Sequence, residues 1–506
     1  MADVVVGFQQ IEGKSLDQVR ELAETTRFDY YCWDLYARVT GWYEADRARQ
    51  AIRAAALRDI EHGQNEAAAL AGFIADRIVR CHLKTMARLN VDYDLLTWEG
   101  DILRLQFWAR AFEILKEKGA VYLQADGRLA GCWVMKIDEH EEQDDRAAPG
   151  GDVEHQDEEE REKVIVRSNG TVTYVGKDIA YQFWKFGLLG RDFSYRVFGE
   201  RAGGGPLWAT TSATAGAVEG HPAFGRARTT YNVIDVRQSY LQKLLKQALA
   251  MLGYTEQADR SIHFSYEMVA LSPATARALG YLSGDGADDR RGFVEVSGRK
   301  GQGVKADDLL DTLIGRASAE VDKRNPELAG ADRQRIAETI AVAAVRYFMI
   351  KYTRTKVMAF DIEEALNFEG ESGPYLQYAV VRAQNILAKL RERDGLQEAD
   401  VLRNLEGLSS SEIDGGEGGH ELWALVLDAA RLDEVVDQVI RTLEFSVLAK
   451  YAFGLAQAFN AFYHRYPVLN EERADARLWR AAGVAYFRRQ LTSALGVMGI
   501  AVPSRM

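Results

Sequence analysis

One short stretch of the chain collects the residue types that handle phosphate: Val294-Glu-Val-Ser-Gly-Arg-Lys-Gly-Gln-Gly-Val304. Its three glycines let the backbone bend tightly and come close to a ligand. Ser297, Arg299 and Lys300 place a hydroxyl and two cations on the same loop. The following Lys305-Ala-Asp-Asp-Leu-Leu310 reads as a helix start, with acidic residues in the turn where the helix dipole favours them. A cationic loop at a helix start suits a polyphosphate being cut or transferred. Alone the pattern has low specificity, because most basic glycine-rich turns are solvated surface loops. The Gly-x-x-x-x-Gly-Lys-Ser/Thr phosphate loop does not occur in the chain.

Two further constellations carry chemistry. Tyr174-x-x-x-Asp178, at an expected strand–helix junction, puts a phenol and a carboxylate side by side. A carboxylate takes a guanidinium through paired charge-assisted hydrogen bonds that lysine cannot imitate. The competing explanation for Asp178 is an ordinary acidic residue near a helix N-terminus. Tyr375, Tyr378 and Arg382 stand at three- and four-residue spacing at the start of one expected helix, and Asn460 and Tyr463 on another. Aromatic rings and hydrogen-bonding groups of this kind hold unstacked RNA bases, although aromatic residues are also common at helix packing seams.

These groups must be positioned by a chain of 506 residues, long enough for several domains and a large core. Its 47% hydrophobic and 27% charged content is that of a soluble globular protein, and no apolar run is long enough to span a membrane. The N-terminus lacks the basic and apolar regions of a signal peptide. Three scattered cysteines, Cys32, Cys81 and Cys132, predict reduced thiols in the cytoplasm and offer neither a zinc site nor a disulfide framework. The net charge of −12 argues against a nucleic-acid partner only until it is located. Residues 138–162 hold thirteen Asp/Glu and two Arg, a block expected to be a solvated, disordered insertion. The remainder is nearly neutral.

Val4-Val-Val-Gly-Phe8 reads as the tail of a strand or a core segment. Residues 16–90 read as helices, with Leu70, Phe73, Ile74, Ile78 and Cys81 at helical spacing. A helix is expected over 103–118, then a hairpin of 120–123 with 132–136 around Asp126-Gly127. Strands are expected at 163–168 and 171–175, separated by the Asn169-Gly170 turn, and a buried strand at 231–236. Residues 200–228 read as irregular. Alternating strands and helices predict α/β architecture with a parallel sheet. Beyond about Gly315 the strands stop, and helices are expected at 336–350 and 376–390. Residues 409–419 have linker composition, and Leu448, Tyr451, Leu455, Phe459 and Phe462 form an amphipathic stripe. The expectation is an α/β part over 1–315 followed by an all-α part over 316–506.

Taken in order, three segments resemble the arginyl-tRNA synthetases, class I enzymes that join arginine to its tRNA. They are 167–181, Val296-Ser-Gly-Arg-Lys-Gly301, and Glu369-Gly-Glu-Ser-Gly-Pro-Tyr-Leu-Gln-Tyr-Ala-Val-Val-Arg382. Phe459-Asn-Ala-Phe-Tyr-His-Arg-Tyr-Pro-Val468 and Val502-Pro-Ser-Arg-Met506 also look like that family's anticodon-binding domain. The resemblance implies an incomplete Rossmann-type catalytic domain with a helical insertion, then a helical anticodon-binding domain. It implies an arginine–tRNA ligase using ATP, with Mg2+, to form arginyl-adenylate and charge tRNA(Arg), with neither a membrane nor DNA as partner. By resemblance Tyr174, Asp178 and Gln238 bind the arginine side chain. Ser297, Arg299 and Lys300 match the catalytic Lys-Met-Ser-Lys-Ser loop, with Lys300 the expected cation at the ATP phosphates. Val296 and Gly298 depart from that motif. Backbone at Met268 and Val269 would meet the adenine. Tyr375, Tyr378, Arg382, Asn460, Tyr463 and Met506 would face the anticodon loop.

The His-x-Gly-His signature of class I synthetases is missing. None of the eight histidines sits in such a motif, and Glu61-His-Gly-Gln64 only echoes it. The expectation is therefore an N-terminally truncated ligase. The alternatives are a split enzyme needing a separately encoded N-terminal fragment and a non-catalytic tRNA-binding protein.

Overall fold

The computed structural model describes residues 1–136, 162–213, 216–282, 292–294, 303–405 and 418–506. Nearly all of the acidic block and of the 409–419 linker lies outside them, as do Ser297, Arg299 and Lys300. The chain divides into two compact units, one of residues 1–91 with 267–506 and the other of residues 92–266. The expected boundary at residues 315/316 falls inside one helix, Ala306–Arg324.

The first unit opens with α1 (Ala2–Val6), a π-helical turn at Gly7–Ile11, α2 (Leu16–Thr25), α3 (Phe28–Ala45), α4 (Gln50–His62) and α5 (Glu66–Arg88). Val5, Val6 and Phe8 are buried with Phe28, Leu35, Val39, Leu70 and Ile74. The opening run is thus core, as expected, but helical; a short apolar run cannot by itself separate a strand from a buried helix. Ser15 and Gln18 form a reciprocal capping box at the start of α2. Gly63 closes α4 in the left-handed region, at φ +84°, so Glu61-His-Gly-Gln64 is a helix end.

The second unit contains β1 (Leu95–Leu96), α6 (Glu99–Arg104), α7 (Phe107–Glu117), β2 (Tyr122–Leu123), β3 (Trp133–Lys136), β4 (Glu162–Val166) and α8 (Tyr174–Lys185). β5 (Ser194–Glu200), β6 (Pro206–Thr211), β7 (Thr230–Asp235), α9 (Ser239–Met251), α10 (Thr255–Asp259) and β8 (Ser261–Tyr266) follow. The helix expected over 103–118 is broken at Gln106, which adopts φ +57° between α6 and α7. The strand expected over 171–175 reduces to one bridge between Val166 and Val172, because the helix already starts at Tyr174. The stretch read as irregular contains β6, which pairs with β5.

The sheets are small and mixed. β2-β3-β4 is antiparallel, β6 runs parallel to β1 and antiparallel to β5, and β7 and β8 are parallel. β7 is not the buried strand expected: Thr230 and Asn232 point inward, while Tyr231 and Val233 on the other face are 54% and 63% exposed. The core joins α7, α8 and α9 through Trp108, Ile179, Phe183, Leu241 and Leu245.

The first unit resumes with β9 (Val269–Leu271), α11 (Pro273–Ala278), α12 (Ala306–Arg324), α13 (Gly330–Lys351), β10 (Met358–Phe360), α14 (Ile362–Ala365), α15 (Gly373–Asp394) and α16 (Glu398–Asn404). It ends with α17 (Gly419–Ala430), α18 (Leu432–Thr442), α19 (Ser446–Arg465) and α20 (Ala474–Val497). Strands do not stop at Gly315, since β10 lies parallel to β9. The expected stripe on α19 holds: Leu448, Leu455, Phe459 and Phe462 are buried against α15 and α20, and Tyr451 donates to the Ala429 carbonyl. Among the described residues no helix is long and apolar enough to cross a membrane.

Candidate functional site

The turn after β4 sets the position of α8. Gly170 adopts φ +82° and donates its N–H to the Arg167 carbonyl at 2.8 Å. The Thr173 hydroxyl reaches back to the Val164 and Ile165 carbonyls, both at 3.0 Å. Gly176 lets α8 approach α7 closely, since a Cβ there would stand 2.9 Å from the Trp108 ring. Val175, Ile179 and Phe183 then face the core. Beside them Tyr174, Asp178, Tyr181 and Lys185 follow one another at spacings of four, three and four, which aligns them along the helix.

This row runs from solvent into the protein. Tyr174 is 59% exposed, whereas Asp178 is half-buried. Asp178 makes no hydrogen bond or ion pair with another described residue. Burial, reinforced by the negative charge of Glu99, pushes its carboxyl up to about 6, against the opposing pull of Lys185 and Lys177. Glu99 is itself paired with Lys177 at 2.9 Å. A half-buried carboxylate without a partner is costly and is relieved by an incoming cation able to hydrogen-bond.

At the inner end of the row, the Lys185 ammonium donates to the Asn232 Oδ1 at 2.8 Å and lies 4.6 Å from the Tyr181 ring centroid. Burial lowers its pKa to about 8, with Asp178 pulling the other way. Asn232 passes the chain on to Gln242 at 2.9 Å. Gln182 donates to Thr230 and Ser261, at 2.8 and 2.9 Å. The Tyr181 hydroxyl is 3.1 Å from Thr97. Gln238, the third expected arginine ligand, ends the turn Val236–Gln238 beyond β7 and is exposed, with no hydrogen bond to Tyr174 or Asp178.

Ser297, Arg299 and Lys300 have no described geometry, but both feet of their loop do. Val294 pairs with Leu271 through two backbone hydrogen bonds, of 2.8 and 3.3 Å. After the loop α12 starts as expected, and its acidic first turn is engaged by the N-terminal helices. Asp307 is held by Arg88 and, at 2.8 Å, by Thr85; Asp308 accepts from Tyr30 at 2.8 Å. The Lys305 ammonium lies 4.1 Å from the Tyr30 ring centroid. Met268, ahead of β9, accepts from the Met358 N–H at 3.1 Å, and the Val269 side chain is exposed.

Five of the six residues expected to face an anticodon come together across α15 and α19. Arg382 donates to the Asn460 Oδ1 at 2.9 Å, and Asn460 donates to the Tyr375 hydroxyl at 3.0 Å. The guanidinium lies 5.5 Å from the Tyr378 ring centroid and 5.7 Å from that of Tyr463. Arg382 has no carboxylate partner among the described residues. Its charge and the flanking rings form a platform suited to stacked bases and phosphate. Tyr375 and Tyr463 also pack on the helical core, so part of each ring is accounted for by packing. Met506 stands apart from the five, against Ala317, Val321 and Ile336.

Sequence reasoning missed Tyr181, Lys185 and Asn232. The regular spacing of Tyr174, Asp178, Tyr181 and Lys185 was a signal for the first two; Asn232 is recognised only once β7 is laid against α8.

Two family models match parts of the chain, both beginning after the α8 row. Residues 199–362 match the class I tRNA synthetase (R) catalytic domain, and residues 376–506 match the DALR anticodon binding domain. An arginine–tRNA ligase of Thermococcus sibiricus is 32% identical, covering 94% of this chain and 66% of the relative. One from Pyrococcus abyssi is 31% identical over all of this chain and 72% of its own length. The solved arginyl-tRNA synthetase of Thermus thermophilus superposes with a TM-score of 0.73 at 28% identity, covering 100% of this chain and 74% of that one. The chain therefore belongs to the arginyl-tRNA synthetase family. It spans about two thirds of the length of the curated relatives, 66% and 63% for the two from Thermococcus.

Proposed function

We propose that this chain acts in the ATP-dependent activation of arginine and its transfer to tRNA(Arg). The observation that carries the reading is Asp178, a half-buried carboxylate without a described partner, one helical turn from the exposed Tyr174 phenol. A guanidinium is the cation that meets it with two parallel hydrogen bonds. Gln238 would add a polar contact from beyond β7.

In the first step the arginine carboxylate attacks the α-phosphorus of ATP; the bond to the bridging oxygen breaks and pyrophosphate leaves. Side chains have little covalent work to do, so positioning and charge stabilisation dominate. Ser297, Arg299 and Lys300 are assigned to the β- and γ-phosphates, and backbone at Met268 and Val269 to the adenine. The fixed feet of the loop, at Val294 and Lys305, support this assignment. Mg2+ supplies charge neutralisation when it arrives with ATP phosphates. Among the described residues no group of His, Cys, Asp or Glu is arranged to hold a metal, so none is assigned to it. In the second step the ribose hydroxyl of tRNA attacks the carbonyl carbon of arginyl-adenylate; the acyl–phosphate bond breaks, AMP leaves, and the hydroxyl gives up its proton. The Tyr375, Tyr378, Arg382, Asn460 and Tyr463 cluster would hold its anticodon loop, and Met506 is assigned to the same interface.

Arginine-dependent ATP–pyrophosphate exchange, run with and without tRNA(Arg), tests the reading. Exchange that disappears in Asp178→Ala while tRNA binding persists is the expected result. Binding of tRNA with no exchange under any condition would overturn the proposal and leave the split-enzyme and non-catalytic alternatives.

A further inference from the structure

Lys185 has no role in the reading above, yet its placement is specific. It is a lysine enclosed within the second unit, without a hydrogen-bonded carboxylate, held instead by a buried amide and the face of a phenol. Enclosing an ammonium in this way is unfavourable unless something nearby uses the charge. The group that does so is Asp178, two turns back along the same helix row.

We propose that Lys185 is a positioning residue of the arginine site: its fixed ammonium keeps the Asp178 carboxylate ionised for a guanidinium without occupying it. The inference rests on Asp178 being the arginine acceptor and deepens that reading. Its geometric basis is the chain from Lys185 to Asn232 to Gln242. Asn232 is 5% exposed, and its carboxamide is used on both sides: the oxygen takes the lysine, and the nitrogen donates to Gln242. The lysine is therefore held at the floor of the row by a residue of β7 tied to α9. Tyr181 lies between Lys185 and Asp178 in the row, and its ring lies against the ammonium. The result is a long-range counter-charge in place of a closed ion pair. A closed pair would have to break before arginine could bind; a charge held at a distance favours the anion and leaves its oxygens available.

The other groups acting on Asp178 are Glu99 on α6, which opposes ionisation, and Lys177 on α8, which favours it but is paired with Glu99. Packed against α8, α7, β4 and α9 contribute apolar side chains, Trp108, Ile165 and Leu245 among them. Lys185 is thus the cation whose removal should move the titration of Asp178 most.

The test compares Lys185→Gln, Lys185→Arg and the original protein by calorimetric titration with L-arginine from pH 6 to pH 8.5. Lys185→Gln keeps a donor for Asn232 and loses the charge; Lys185→Met is the second charge-free variant if the first folds poorly. Removing the charge is expected to weaken arginine binding about threefold at pH 6.5 and hardly at all at pH 8.5, because Asp178 is then ionised in both proteins. The acid limb of the affinity profile should move up by about one pH unit. Lys185→Arg should restore the original profile. An equal loss at both pH values, or no loss, overturns the inference while leaving the arginine site intact. Failure of the unaltered protein to bind arginine, with tRNA binding retained, would instead remove the reading of Asp178 on which it rests.

Discussion

Arg382 on α15 donates to the Asn460 amide oxygen on α19 at 2.9 Å, and that amide donates in turn to Tyr375. The guanidinium is thereby fixed across a helix seam with Tyr378 and Tyr463 beside it and no described carboxylate to neutralise it. Held in this way, a cation loses little further entropy when RNA arrives. Arg382→Ala is expected to weaken tRNA(Arg) binding about tenfold and to lower the slope of log affinity against log salt by about one. Arg382→Lys should not restore it, since the planar fork meets both the amide and the rings. Filter binding across a salt series reads both effects; an unchanged affinity in Arg382→Ala would remove this cluster from the RNA interface.

The start of α15 is held against α13 by a close backbone approach. A Cβ added at Gly373 would lie 2.2 Å from the Ala343 carbonyl oxygen, and no flexible side chain can move aside to relieve it. Gly373→Ala should therefore destabilise the protein by about 2–3 kcal/mol, at the upper end of overpacking costs. Gly395, which ends the same helix at φ +68° with open space around its Cβ position, should lose only about 1 kcal/mol on becoming alanine. Thermal melts of the two variants make the comparison.

How much of this was legible in the residues depends on what each signal reports. The helical periodicity of Leu448, Leu455, Phe459 and Phe462 specifies a face, and that face is buried. Tyr375, Tyr378 and Arg382 could be placed together because three- and four-residue spacing has one geometric meaning in a helix. Tyr231 and Val233 misled because β propensity and hydrophobicity say nothing about whether a layer covers the strand. Asn232 was illegible for a related reason: its partners Lys185 and Gln242 lie on two different helices, brought together by β7. The break at Gln106 went unseen because a left-handed residue other than glycine leaves no compositional mark.

The acidic start of α12 looked like ordinary dipole chemistry, but Asp307 in its first turn and Asp311 one turn on differ sharply in enclosure. Asp307 is largely enclosed and serves Arg88 and Thr85, whereas Asp311, also paired with Arg88, is mostly exposed. Asp307→Ala should cost about 1–3 kcal/mol, since the buried Thr85 hydroxyl loses its close acceptor and Arg88 keeps only the exposed Asp311. Asp311→Ala should stay within about 0.5 kcal/mol, as exposed ion pairs do. Urea denaturation of both proteins tests the difference, and equal effects would deny Asp307 its special place at the foot of the loop.

If Asp178 accepts arginine as proposed, the pH dependence of arginine binding is a direct readout of the site. Its folded pKa, about 6, lies above the ordinary carboxylate value of 3.8. The protonated form is therefore favoured by folding, and this contribution is fully present below the unfolded pKa and lost as pH rises through 6. Lys185 has the opposite sign: its pKa falls from 10.5 to about 8, so its contribution is present above the unfolded value and lost as pH falls through 8. Between about pH 6 and 8 both groups are charged and neither contribution is available, so the unliganded site is at its least stable there. On the proposed reading, arginine binds the ionised carboxylate and draws off the proton wherever Asp178 still carries one. Calorimetry in buffers of different ionisation enthalpy should therefore find about half a proton released per arginine at pH 6 and almost none at pH 8. The stabilisation of the thermal midpoint by saturating arginine should grow from pH 5 to pH 7. In Asp178→Asn both the proton release and its pH dependence should vanish. Proton release that survives in that variant would assign the titrating group elsewhere.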